Sequence, residues 1–114
     1  MSAGTGVLHS EKNDGDTPVH LLQIWVEPKQ RGIPPSYEQS SFRLTKNTLV
    51  TVVDGTQDRK AGDALYMHQR AKFLLGDFEK GTSFAYAPGA GRGAYLFVSN
   101  GKVKLEKETL KQSD

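Results

Sequence analysis

A chain of 114 residues with 36% hydrophobic and 25% charged residues has the composition of a soluble globular protein, long enough for one domain with a modest core. Its net charge of +2 is spread over scattered Lys and Arg, which excludes an electrostatic case for nucleic acid. The lack of cysteine excludes disulfides and thiolate chemistry and is compatible with the cytosol. No apolar run approaches the ~18 residues of a membrane span, and no basic stretch followed by an apolar one opens the chain. A cytoplasmic location, with neither membrane nor nucleic acid as partner, is the expectation.

The first 28 residues predict a hairpin. His9 and Glu11 are two apart, and on an extended strand that spacing puts both side chains on one face. An imidazole and a carboxylate projecting together are half of a site for iron, manganese, nickel or zinc. Asn13-Asp14-Gly15-Asp16 is turn chemistry. Residues 19–26 then alternate, with Leu22, Ile24 and Val26 on one side and Gln23 and Glu27 on the other, which reads as a half-buried strand. Trp25, opposite the apolar face, is expected to cover a second core or a dimer contact rather than to wall an apolar pocket.

Gly32-Ile33-Pro34-Pro35-Ser36 cannot sit inside a helix or a central strand, because proline lacks the donor and fixes φ. It predicts a connector, followed by a short edge strand over 37–43. Residues 48–53 are rich in β-branched side chains and stop at Asp54-Gly55, a hairpin signal. A turn is predicted over 59–63, and strands over 64–71 and 72–78, with turns at Gly76-Asp77 and Lys80-Gly81. Residues 83–87 predict a further strand, and Pro88-Gly-Ala-Gly-Arg-Gly93 a glycine-rich loop. Residues 94–98, Asn100-Gly101 and residues 102–106 predict a hairpin around an Asn-Gly turn. Residues 106–114 are polar and read as a frayed strand, a short helix or a loose tail. Roughly seven to nine short strands with turns at close intervals imply an all-β barrel or sandwich.

Several motifs carry a family likeness. Ser2-Ala-Gly-Thr-Gly6, His9-Ser10-Glu11, Leu22-Gln23-Ile24-Trp25 and Gly32-Ile33-Pro34 through Tyr37-Glu38-Gln39 resemble the pirin family, and more closely the bacterial pirin-like quercetin dioxygenases. The clear match covers roughly the first third of the chain, and the rest follows the strand pattern of that family's second barrel. The resemblance implies a bicupin, in whose first barrel a His-x-His pair and a His-x-Glu pair hold one metal ion. It implies an all-β fold built on the cupin-like jelly-roll barrel. Residues 1–28 would be the end of the first cupin, 29–36 the connector and 37–114 the start of the second. One half then completes the other as a circularly permuted single cupin, formed within a single pirin-like domain over 1–114 or by exchange between two chains. Bare half-barrel edges favour that completion. The proline-rich connector and the apolar face of Leu22, Ile24 and Val26 favour exchange, so a domain-swapped homodimer is the expectation.

Under the resemblance, His9 and Glu11 are the metal ligands. The family's His-x-His pair has no counterpart, and residues 87–91, where a permuted barrel would place it, read Ala-Pro-Gly-Ala-Gly. His20 reads as a rim residue and His68 as a half-buried, hydrogen-bonded histidine. Two protein ligands leave most of the coordination shell to water, so iron, nickel, zinc or manganese would bind at low affinity, with no tightly bound cofactor. The loop over 88–93 lacks the Lys-Ser/Thr and the helix of a phosphate loop. Ser10 faces away from His9 on a strand. Asp54, Asp58 and Asp63 read as solvated turn residues. The expected function is a non-catalytic module for a small apolar ligand or a protein, with a degenerate metal pair. The alternative is a metal-dependent quercetin 2,3-dioxygenase whose missing ligands come from a partner chain.

Overall fold

A computed structural model of the chain describes residues 1–56, 62–106 and 108–113. The described residues form strands and no helix: β1 Leu49–Asp54, β2 Leu65–Tyr66, β3 Lys72–Gly76, β4 Lys102–Lys104 and β5 Thr109–Lys111. The all-β expectation therefore holds among them. No helix is long and apolar enough to cross a membrane, again among the described residues. The chain divides into two compact units, Met1–Ser83 and Phe84–Asp114.

In the first unit β1 is the central strand, with β2 and β3 on either side. Its run Val50, Thr51, Val52, Val53 suits a pleated, half-buried surface, and the strand predicted over 48–53 is met within one residue. β1 pairs antiparallel with β3 from Leu49↔Gly76 to Asp54↔Lys72, with a register shift between Thr51 and Val53. The shift is a bulge that leaves Val52 without a cross-strand partner. Val52 and Asp54, two apart, are both buried.

Asp54-Gly55 is not a hairpin turn. β1 continues to β2 as a parallel pair, Val53↔Leu65 and Asp54↔Tyr66, and a two-residue turn cannot make a parallel connection. Gly55 serves a different purpose. Its amide donates to the Ala71 carbonyl at 2.9 Å, and a Cβ there would lie 2.0 Å from the Gln69 carbonyl and 2.6 Å from that of Met67. The backbone of 67–71 crosses the end of β1 at a distance only glycine allows.

The strands predicted over 64–71 and 72–78 contract to β2 and β3. Gly76, read as a turn residue, ends β3, where a Cβ would meet the Phe78 ring at 2.3 Å. The Lys80-Gly81 turn stands, with the Thr82 amide donating to Glu79 at 3.1 Å and Gly81 at φ 86. Of the turn predicted over 59–63, residues 59–61 lie outside the described residues, while Gly62 and Asp63 are in a turn. Lys46 pairs with Asp77 at 2.7 Å beside the bridge between those two residues.

The N-terminal part differs from its expectation. Its turn is present: the Gly15 amide donates to Asn13 Oδ1 at 3.1 Å, and Asn13 Nδ2 to the Thr17 carbonyl at 2.8 Å. The flanking runs are not strands among the described residues, and neither is 37–43. Alternation makes a strand only where a second backbone closes the ladder. Among the described residues of this unit the backbone of 19–26 has none, and the run stays largely exposed.

In the second unit β4 pairs with β5, matching Lys102↔Lys111, Val103↔Leu110 and Lys104↔Thr109. The hairpin expected between 94–98 and 102–106 is thus displaced by one element, and the polar end of the chain supplies a strand. The Val98 carbonyl instead accepts from the Ser113 amide at 2.7 Å, and Leu105 closes onto Glu108 at 2.7 Å. Residues 83–87 and 94–98 are likewise not strands among the described residues.

The core is thin. Val52, Ala64 and Met67 are buried in the first unit and Val98 in the second. Among the described residues no side chain is less than 2% exposed.

Candidate functional site

His9 and Glu11 are both exposed, on a segment that is not a strand. His9 Nε2 lies 3.3 Å from Gln23 Nε2. The Gln23 amide donates that bond when the ring proton sits on Nδ1. The contact lays residue 9 beside residue 23, although neither flanking run is a strand. In that tautomer the Nε2 lone pair is engaged, and a metal ion at that nitrogen would displace an amide. Among the described residues no three His, Asp or Glu side chains gather as a metal-holding group. Two exposed ligands do not fit a tightly held catalytic ion, which needs three or more protein donors and an open position. His20 is exposed, as its reading as a rim residue requires.

His68 is half-buried and hydrogen-bonded, as expected. Its Nδ1 lies 3.1 Å from Ser2 Oγ, and its ring meets the Tyr66 ring edge-on, centroids 4.9 Å apart at 78°, a favourable geometry for two aromatic rings. Its backbone carbonyl accepts from the Lys29 amide at 2.8 Å, and Lys29 Nζ stands 5.9 Å above the Tyr66 ring, within cation–π range. The Tyr66 amide donates to Glu38 Oε2 at 3.2 Å. Ser2 itself is buried and exchanges two backbone bonds with Ser36, at 2.8 and 3.0 Å. β2 and the turn after it are thus held by three separated segments around residues 2, 29 and 36–38. Nothing local in the chain signals this clasp. Its partners are up to 66 residues apart, and a serine near a terminus reads as solvated.

Next to Lys29 an open depression of about 390 Å³ is lined by Glu27, Pro28, Lys29 and Arg70. The expected small ligand was apolar, whereas three of these four side chains carry charge. The Gln69 Oε1 oxygen is buried with no hydrogen-bond partner, a cost for any group that could be paired.

Asp54 corrects the reading as a solvated turn residue. It ends β1, is buried, and pairs through Oδ2 with Lys72 Nζ at 2.8 Å. Oδ1 accepts from the Thr56 amide at 2.8 Å and the Thr56 hydroxyl at 2.6 Å. Burial pushes the carboxyl up, but the Lys72 ammonium and the two Thr56 donors outweigh it and hold the pKa at about 2. Asp58 lies outside the described residues, and Asp63 is exposed in a turn. The 88–93 loop is an exposed turn, closed by the Arg92 amide on the Gly89 carbonyl at 3.1 Å.

Residues 44–114 match a family described as the quercetinase C-terminal cupin domain. The matched segment is the part of the chain whose likeness was the looser in the motifs; the motif-rich first third lies outside it. Among similar proteins is one named "Putative quercetin 2,3-dioxygenase" from Zymomonas mobilis, 36% identical over 116 residues, covering 100% of this chain and 48% of that protein. A protein of the same name from Mycobacterium tuberculosis is 40% identical over 109 residues, covering 93% of this chain and 43% of its own length. "Quercetin 2,3-dioxygenase" of Escherichia coli K12 is 31% identical over 115 residues, covering 100% and 48%. The chain spans about half the length of these curated relatives. No solved structure matches.

Proposed function

Because this chain belongs to the quercetinase C-terminal cupin domain family, with its all-β cupin fold, we propose that it is a non-catalytic binding module for a small ligand or a protein. His9 and Glu11 remain in it as a degenerate metal pair. The observation that carries this reading is the histidine content of the matched segment. Residues 44–114 contain one histidine, His68, and its Nδ1 is engaged by Ser2. A redox metal with open positions for substrate or dioxygen needs several side-chain ligands. The depression lined by Glu27, Pro28, Lys29 and Arg70 has the volume of a small-molecule site. A cytoplasmic setting accords with a chain that lacks cysteine.

A second reading draws on the printed names of the relatives. In it the module is part of a metal-dependent dioxygenase, and donors beyond His9 and Glu11 come from outside this chain. Elemental analysis of protein purified without an affinity tag separates the two. The expected result is no stoichiometric metal, with weak titratable affinity that His9→Ala removes while the circular dichroism spectrum is unchanged. One tightly bound iron, nickel or zinc ion per chain, lost in His9→Ala, overturns the binding-module reading in favour of the dioxygenase.

A further inference from the structure

The chain has three asparagines, Asn13, Asn47 and Asn100, and their side chains are held very differently. Asn13 donates through Nδ2 to the Thr17 carbonyl and accepts through Oδ1 from the Gly15 amide. Asn47 donates through Nδ2 to Glu79 Oε2, and its Oδ1 accepts from the Glu79 amide and the Thr82 hydroxyl. Asn100 is exposed, and among the described residues its side chain makes no hydrogen bond. It is also the one asparagine followed by glycine.

Gly101 lies at φ 87, a conformation that glycine adopts at no steric cost. A Cβ there would meet nothing within 4 Å. No backbone carbonyl among the described residues accepts from its amide. The Gly101 nitrogen and Asn100 Cγ are thus neighbours in the chain that nothing crowds and nothing holds apart. The two Asp-Gly pairs are the contrast. At Asp54-Gly55, Lys72 and Thr56 hold the carboxylate, and the Gly55 amide donates to the Ala71 carbonyl. At Asp14-Gly15 the carboxylate pairs with Lys12, and the Gly15 amide donates to Asn13. Both are ionised carboxylates, which resist nucleophilic attack where a neutral side-chain amide does not.

We propose that Asn100 is a site of spontaneous deamidation, by ring closure of its side chain onto the Gly101 nitrogen. The Gly101 amide loses its proton to solvent, and its nitrogen attacks Asn100 Cγ. A nitrogen–carbon bond forms, the side-chain carbon–nitrogen bond breaks, and the departing nitrogen takes up a proton and leaves as ammonia. Water then opens the cyclic imide at one of its two carbonyls. One opening gives aspartate and the other isoaspartate, and nothing is oxidised or reduced. Either product puts a carboxylate two residues before Lys102, the first residue of β4. Isoaspartate also adds a methylene to the main chain between β4 and Val98, whose carbonyl accepts from Ser113. The site stands whether the module binds a ligand or belongs to an enzyme.

The test incubates the folded protein at neutral pH and physiological temperature and follows its tryptic peptides by mass spectrometry. Digestion is at mildly acidic pH, beside an unincubated control. Cleavage after Arg92 and Lys102 releases residues 93–102. The expected result is that this peptide gains the mass of an amide turned into an acid and separates into aspartate and isoaspartate forms. The peptides with Asn13 and Asn47 stay unchanged over the same times. Conversion should quicken as pH rises, because the attacking nitrogen must first lose its proton, and in heavy-oxygen water the product should take up one labelled oxygen. Asn100→Gln, which would have to close a larger ring, should leave the peptide unconverted; the wild-type time course decides the matter even if that variant fails to fold. An unconverted peptide 93–102, conversion that appears only in urea, equal conversion at Asn13 or Asn47, or aspartate without isoaspartate would each overturn the proposal.

Discussion

Asp54 offers the sharpest test of the energetics. Its carboxyl ionises at about 2 in the folded chain, against 3.8 for an unperturbed aspartate. A shift of that size corresponds to about 2.5 kcal/mol of linkage free energy. Lys72 is about a third exposed, and solvent screening brings the expected contribution down to about 1–2 kcal/mol. Asp54→Asn removes the charge but keeps an oxygen for the Thr56 donors, so it isolates the pairing with Lys72. Because the folded pKa lies below the unfolded one, the contribution is full above about pH 5 and fades as pH falls through 4 towards 2. Urea unfolding followed by circular dichroism should place the variant's midpoint about 1 M or more below wild type at pH 7. The gap should shrink to about a third of its size near pH 2.5 and close near pH 1.5. Equal midpoints at pH 7, or a gap that persists unchanged at pH 1.5, would refute the assignment of that stability to the ion pair.

Gly55→Ala puts a Cβ against the carbonyls of Gln69 and Met67, and a backbone collision should cost about 2–4 kcal/mol; a denaturation midpoint equal to wild type would show that 67–71 does not cross there. Ser2→Ala removes the bond to His68 Nδ1 and should cost about 0.5–1.5 kcal/mol, read from the same urea curves, with no effect on the Asp54 pH profile.

The sheet of the first unit was the most legible part of the chain. Residues 49–54 form a strand because three valines and a threonine in sequence suit little else, and that information is local. The partners were not local. Asp54-Gly55 carries the same two letters whether the chain reverses in a hairpin or lets a distant backbone cross a glycine, and only the position of 67–71 decides. Likewise Asn100-Gly101 does bend, with Gly101 at φ 87, but the strand after it pairs forward with β5 rather than back with 94–98. At the candidate site, the turn at Asn13 and the approach of His9 to Gln23 follow from short-range chemistry. The burial of Ser2 and the pairing of Asp54 with Lys72 depend on which segments meet, which a single residue's type does not encode.

The structure also bears on how two copies would associate. An exchange of the N-terminal part needs residues 1–28 to leave their own body through the connector. Yet residues at both ends of that part are held. Ser2 exchanges backbone bonds with Ser36, and the Lys29 amide bonds to the His68 carbonyl. Gly4, at φ 55, lies so close to the backbone of 33–35 that a Cβ would stand 2.1 Å from the Ile33 carbonyl. Exchange would have to break these contacts in both chains and remake them across the interface, with no net change in their number. Exchange relocates the contacts at Ser2 and Lys29 without covering Leu21 or Trp25. With Val52, Ala64, Met67 and Val98 as the buried apolar side chains among the described residues, the chain gains most from an association that takes further apolar area out of water.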